Sequence, residues 1–171
     1  MSRYRNTDVL IPGTDTRAGG GRSLQRILVP VGSTGQADQA LALAAQLSAG
    51  SGGQLRLIHV RIAEPPLPGS GTFYWETSRE ATAVLERALT SVWAYGVPAS
   101  GVVVDAFRRR AACAVAAEAR AWRAEVMVVA RRRRKARAIS VLLFGSLSDQ
   151  LMREAGCPVL VVRQQRQNVS R

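Results

Sequence analysis

Arg26-Ile27-Leu28-Val29-Pro30-Val31, followed at once by Gly32-Ser33-Thr34-Gly35, is the stretch on which the fold turns. An unbroken apolar run of this length, closed by turn formers, predicts a strand buried on both faces. Ala37, Ala40, Leu41, Ala44, Ala45 and Leu47 follow at helical spacing, and the Gly50-Ser51-Gly52-Gly53 cluster ends that helix. Outward from this unit the pattern repeats. Leu55 to Val60 predicts a second strand, and the stretch from about Trp75 to Tyr95 a helix. Gly101 to Ala106 predicts a third strand, and Arg110 to Trp122 an alanine-rich helix. Glu125 to Ala130 predicts a fourth strand, Ser146 to Glu154 a last helix and Cys157 to Val162 a fifth strand. Strands separated throughout by helices imply right-handed crossovers. The expected fold is therefore α/β: a five-stranded doubly wound parallel sheet sandwiched by helices, in a single domain.

At 171 residues the chain is long enough for one domain with a substantial core. Residues 1–24 carry glycine, threonine and aspartate without sustained periodicity and predict a flexible N-terminal arm. The α/β domain is expected over 25–165, with 166–171 as a C-terminal tail. Apolar runs of a handful of residues, such as Val126 to Ala130, fall far short of a membrane span. The patch from Val9 to Pro12 is too short for a secretory core, so a cytoplasmic protein is expected. Cys113 and Cys157 are too few for a disulfide scaffold, and no Cys/His cluster has the spacing of a metal site.

Of the net charge of +12, residues 107–137 contribute +9, so the excess is local. The run Arg131-Arg132-Arg133-Arg134-Lys135-Ala136-Arg137 dominates it, preceded by Arg108-Arg109-Arg110. Such a cluster either attracts a polyanion or nucleotide phosphate, which guanidinium groups grip bidentately, or is a solvated basic loop. In a doubly wound sheet, ligands bind at the carboxyl ends of the strands where the winding reverses. The loops after the first and fourth strands are therefore the place for a site. His59, the single histidine, lies at a strand end, and a structural role at the sheet edge rather than catalysis is expected of it. For most of the aromatics at helix ends, namely Tyr74 and Trp75 at the head of the second helix, Trp93 and Tyr95 at its close and Trp122 ending the third, packing is the better reading. They lack the interleaving with basic residues expected of a stacking platform.

Four segments resemble the universal stress protein family. These are Ile27 to Val31, Leu57-Ile58-His59-Val60, Gly145-Ser146-Leu147-Ser148, and Cys157-Pro158-Val159-Leu160-Val161-Val162-Arg163. Their order and spacing match across about residues 24–165. The resemblance implies a five-stranded α/β sandwich, a homodimer through the last strand, and in one branch of the family ATP held across the loops after the first and fourth strands. Mapped onto this chain, that cleft involves Pro30, Val31, Gly32, Ser33, Val60 and Ala130. Arg131, Arg132, Gly145, Ser146, Leu147 and Ser148 complete it on the other side.

The chain departs from the ATP-binding branch at two points. Where the family commonly has Asp-Gly-Ser after Pro-Val, this chain has Gly32-Ser33-Thr34, so the nucleoside-contacting carboxylate is missing. The phosphate loop of that branch runs Gly, two residues, Gly, nine residues, Gly-Ser. Counting back from Gly145-Ser146 places Arg132 and Lys135 at the early glycines. Glycines there let backbone N–H groups turn toward phosphate, which Arg and Lys support poorly. Gly145-Ser146 survives at a helix start, where free N–H groups favour an anion and where Gly-Ser is also an ordinary cap. The expected function is a non-catalytic stress-response binding protein with a degenerate nucleotide site, binding ATP weakly. The alternatives are an ATP-binding, slowly hydrolysing member and a polyanion-binding module using the Arg131 to Arg137 loop.

Overall fold

The computed structural model describes residues 7–10, 24–32, 37–66, 68–69, 71–131 and 147–163. In chain order the elements are β1 (Thr7–Leu10), β2 (Arg26–Val31), α1 (Asp38–Ser51), β3 (Gln54–Glu64), β4 (Phe73–Tyr74) and α2 (Ser78–Trp93). Then come β5 (Ala99–Phe107), a 3-10 turn at Arg108–Arg110, α3 (Ala111–Ala121), β6 (Val126–Arg131), α4 (Leu147–Glu154) and β7 (Val159–Arg163). The sheet runs β1-β5-β3-β2-β6-β7. Its five central and right-hand strands, β5, β3, β2, β6 and β7, are mutually parallel, as the sequence predicts.

Successive residues of a strand point to opposite faces, and β2 feeds both layers in turn. Ile27, Val29 and Val31 enter a core with Leu41 and Ala44 of α1 and Leu85 and Leu89 of α2. Leu28 enters the other core, with Ile58, Met127, Val115 of α3 and Leu151 of α4. All of these apolar side chains are buried, which is why the strand reads as a continuous apolar run rather than an alternating one.

Glycines set two of the closest approaches. Gly52 closes α1 in the left-handed conformation at φ 65°. Beside it, a Cβ on Gly53 would collide with the carbonyl oxygen of Leu24. At Gly101 in β5 a Cβ would come within 2.8 Å of Leu85, so α2 lies hard on the sheet there.

Three expectations are corrected. Thr7–Leu10, inside the segment read as an arm, is a strand antiparallel to β5, with Thr7 opposite Val103 and Leu10 opposite Ser100. An edge strand of four residues is held by backbone ladder bonds, so it needs no apolar periodicity. The second predicted strand continues to Glu64 and pairs antiparallel with Phe73–Tyr74. Helix α2 begins at Ser78, not near Trp75, because Thr77 and Glu80 form a capping box at its start. Residues 166–171 lie outside the described residues. Among the described residues no helix is long and apolar enough to cross a membrane.

Candidate functional site

The chain winds outward from β2 through β3 to β5, then returns to place β6 on the other flank of β2. The reversal therefore falls between β2 and β6, whose parallel register pairs Ile27 with Val126 and Leu28 with Met127. Both strands leave the sheet at the same edge, and their ends open the crevice in which such folds bind ligands. Pro30 is half-buried, Val31 buried and Gly32 exposed at the end of β2. Val60 and Ala130, both half-buried, stand on the flanking strands β3 and β6, and Arg131 closes β6. The structure thus brings Pro30, Val31, Gly32, Val60 and Ala130 to one sheet edge. Leu147, exposed, and Ser148, buried, begin α4. Ser33, Arg132, Gly145 and Ser146 lie outside the described residues, as does the basic run beyond Arg131. A Cβ added at Gly32 would meet nothing within 4 Å.

His59 fixes the end of β2. Its ring is buried in β3 between β2 and β5, an interior position rather than the sheet edge expected from the sequence. Nδ1 lies 2.9 Å from the Val31 carbonyl oxygen, and Nε2 lies 2.7 Å from Glu76 Oε1. The histidine therefore joins the last residue of β2 to the segment leading into α2.

Beyond Val31, β3 runs on beside β5 toward β4 and carries a polar and aromatic cluster that the sequence reading missed. Arg61 grips Asp105 of β5 with two bonds, Nε to Oδ1 at 2.7 Å and Nη2 to Oδ2 at 2.5 Å. Its guanidinium lies 4.1 Å from the centre of the Tyr74 ring. The bond to Asp105 and its charge raise the Arg61 pKa further above its ordinary value against the cost of burial. Further out, Trp75 Nε1 donates to Glu64 Oε1 at 2.9 Å, and Arg108 Nε reaches the same oxygen at 3.0 Å. These two donors, the indole first, hold the Glu64 carboxyl below the usual carboxylate range.

Trp75, one of the aromatics for which the sequence favours packing, is instead 63% exposed, as is its neighbour Phe73 at 59%, whereas Tyr74 is half-buried against Arg61. The signals that find them are the absence of a turn former before Pro65, which lets the strand run on through Arg61-Ile62-Ala63-Glu64, and the Thr77-to-Glu80 capping pair, which starts the helix late.

Among the described residues no group of three His, Cys, Asp or Glu side chains is disposed to hold a metal ion. Cys113 is exposed and Cys157 partly buried, both with free thiols. Burial pushes the Cys157 thiol up.

A mostly parallel α/β sheet flanked by helices, with its switch point between β2 and β6, is a doubly wound fold. A model of the universal stress protein family matches residues 23–163, and the chain belongs to that family. Among solved structures it is similar to a universal stress protein in complex with cAMP, at 19% identity and TM-score 0.64, covering 84% of this chain and 99% of that one. It also resembles a universal stress protein from Archaeoglobus fulgidus in complex with dAMP, at 20% identity and TM-score 0.60, covering 81% and 98%. A family protein from Burkholderia pseudomallei is 23% identical with TM-score 0.61, covering 84% and 98%. No curated protein matches the chain. These likenesses carry the fold.

Proposed function

We propose that the chain is a non-catalytic binding protein of the universal stress type whose nucleotide site is weakened. The observation that carries this reading is Gly32, exposed at the end of β2 on the ligand-binding edge. It stands where the ATP-binding branch that the sequence resembles places a carboxylate. Losing one hydrogen bond to a charged group costs about 1.5–3 kcal/mol, enough to weaken a nucleotide complex by an order of magnitude or more. Replacement of both early glycines of the phosphate loop weakens it further. The same reading gives a cytoplasmic homodimer that associates through β7.

The cAMP and dAMP of the two similar structures favour a second reading, in which this edge still holds an adenine nucleotide tightly. Calorimetry with ATP and mass spectrometry of the purified protein separate the two. The expected result is no retained nucleotide and no site tighter than about 10 μM. Because space is open around Gly32, Gly32→Asp restores the carboxylate without a clash. That variant is expected to bind ATP about tenfold more tightly than the parent. Retained nucleotide, or a dissociation constant below about 10 μM in the parent chain, overturns the proposal.

A further inference from the structure

The β3–β4 hairpin carries a feature that the nucleotide crevice does not use. The last pair of β2 with β3 is Val31 with His59, so β3 from Val60 to Glu64 projects beyond β2 by five residues. At about 3.3 Å per residue this is some 16 Å past the end of β2, with β5 alongside as far as the pair of Ala63 with Phe107. Its tip pairs Ala63 with Tyr74 and Glu64 with Phe73. Trp75 follows immediately, its N–H donating to the Ile62 carbonyl at 3.2 Å.

On this tip two large rings are held out to solvent rather than folded inward. Phe73 and Trp75 meet edge to face, with centroids 5.9 Å apart and planes at 78°. The indole is fixed by its bond to Glu64, and the Arg108 guanidinium lies 5.5 Å from its centre. Glu64 in turn is paired with Arg108 at 3.0 Å. Phe107, 43% exposed, leads directly into Arg108, Arg109 and Arg110, all exposed in the 3-10 turn. Exposed aromatic area with the Arg108 guanidinium beside it, followed in the same exposed turn by Arg109 and Arg110, combines a π surface with basic charge.

We propose that this tip is a stacking platform for single-stranded nucleic acid, in which Trp75 and Phe73 receive bases and the Arg108–Arg110 turn receives phosphates. Bases of any identity present a π face, so such a platform is tolerant of sequence, and the arginines track the backbone. The ordering of Trp75 by Glu64 and Arg108 lowers the conformational cost of binding. An acidic peptide satisfies the arginines but leaves the rings without a stacking partner, and a duplex satisfies the arginines while keeping its bases paired inside. A single strand alone matches both halves of the surface. The platform is independent of the nucleotide site between β2 and β6.

The test uses the full chain and a labelled oligothymidylate of about twenty nucleotides, followed by anisotropy and by quenching of tryptophan fluorescence. Binding is expected to be salt-dependent and to quench part of the emission. Trp75→Ala is expected to weaken it about tenfold and abolish the quenching, whereas Trp75→Phe keeps most of the affinity. Trp93→Ala, at an exposed ring on α2, is expected to leave binding unchanged. Arg109→Gln with Arg110→Gln is expected to flatten the salt dependence. The proposal is overturned if a duplex or inorganic polyphosphate binds as tightly as the single strand. So it is if Trp75→Ala, with unchanged thermal melting, binds as the parent does, or if an acidic peptide binds through Trp75 and the oligonucleotide does not.

Discussion

His59 and Glu76 share a part-buried hydrogen bond of 2.7 Å, and the same imidazole ring is held on its other side by β2. The other ring nitrogen faces the Val31 carbonyl at 2.9 Å, and a carbonyl only accepts. Nδ1 must therefore carry a proton. Nε2 faces Glu76 Oε1, so one ring ties the end of β2 to the segment leading into α2.

His59→Ala leaves the Val31 carbonyl and Glu76 unsatisfied and opens a cavity, and is expected to cost about 2–4 kcal/mol in urea denaturation. Glu76→Gln keeps an acceptor or donor for Nε2 and is expected to cost less than about 1 kcal/mol. Equal losses in the two variants would contradict the assigned geometry.

Two glycine contacts separate a rigid neighbour from a yielding one. At Gly53 the clash of an added Cβ is with the backbone carbonyl of Leu24, which is tied into the start of β2. At Gly101 the neighbour is the side chain of Leu85, which can change rotamer. Gly53→Ala is expected to destabilise by about 3 kcal/mol or more, and Gly101→Ala by about 1–2 kcal/mol. The order of the two thermal midpoints checks the assignment.

The capping box of α2 gives a pH-dependent expectation. Thr77 Oγ1 accepts from the Glu80 N–H at 3.2 Å while Glu80 Oε2 accepts from the Thr77 N–H at 2.7 Å. Thr77→Ala is expected to cost about 1 kcal/mol at neutral pH. The bonds from the Thr77 N–H and then its hydroxyl lower the folded Glu80 pKa from its ordinary value. A depressed carboxyl contributes stability that is full above its unfolded pKa and is lost as pH falls through the folded one. The gap between parent and Thr77→Ala should therefore narrow as pH is lowered into the acid range, measured by denaturation at a series of pH values.

What was legible in the sequence was whatever burial writes into composition. Strands covered on both faces, such as Ile27 to Val31 and Val126 to Val129, must be continuously apolar, and so their number, order and direction were readable. The switch point between β2 and β6 followed from that order, and Pro30, Val31, Gly32, Val60 and Ala130 stand at the carboxyl ends of β2, β3 and β6. Elements held by backbone pairing alone left no such trace: Thr7–Leu10 and Phe73–Tyr74 are too short to show a period. Trp75 was assigned to a helix because apolar spacing was followed past a capping signal at Thr77. The partnership of His59 with Glu76 spans 17 residues across a hairpin, and nothing local encodes it.

The two cysteines are expected to differ in reactivity. Cys113 is exposed on α3, whereas burial raises the Cys157 thiol above its ordinary value and so reduces its thiolate fraction. Timed alkylation by iodoacetamide near pH 8, followed by peptide mass spectrometry, should label Cys113 first. Faster labelling of Cys157 would contradict the burial seen beside Pro158.

The open edge at β7 supplies the last expectation. In the parallel register Met127 stands opposite Val159, and the Met127 N–H donates to the Pro158 carbonyl at 2.9 Å. Backbone groups alternate in direction along a parallel ladder, so Pro158, Leu160 and Val162 bond β6 while Val159 and Val161 turn theirs outward. Leu160 is 40% exposed on the same strand, and an apolar edge of this kind invites pairing with a second copy. If the homodimer forms there, Val161→Pro removes an outward N–H without breaking a bond to β6, and the fold is retained. Light scattering should give a dimer mass for the parent and a smaller one for the variant at micromolar concentration, with circular dichroism unchanged. A monomeric parent, or a variant that stays dimeric, would move the interface away from β7.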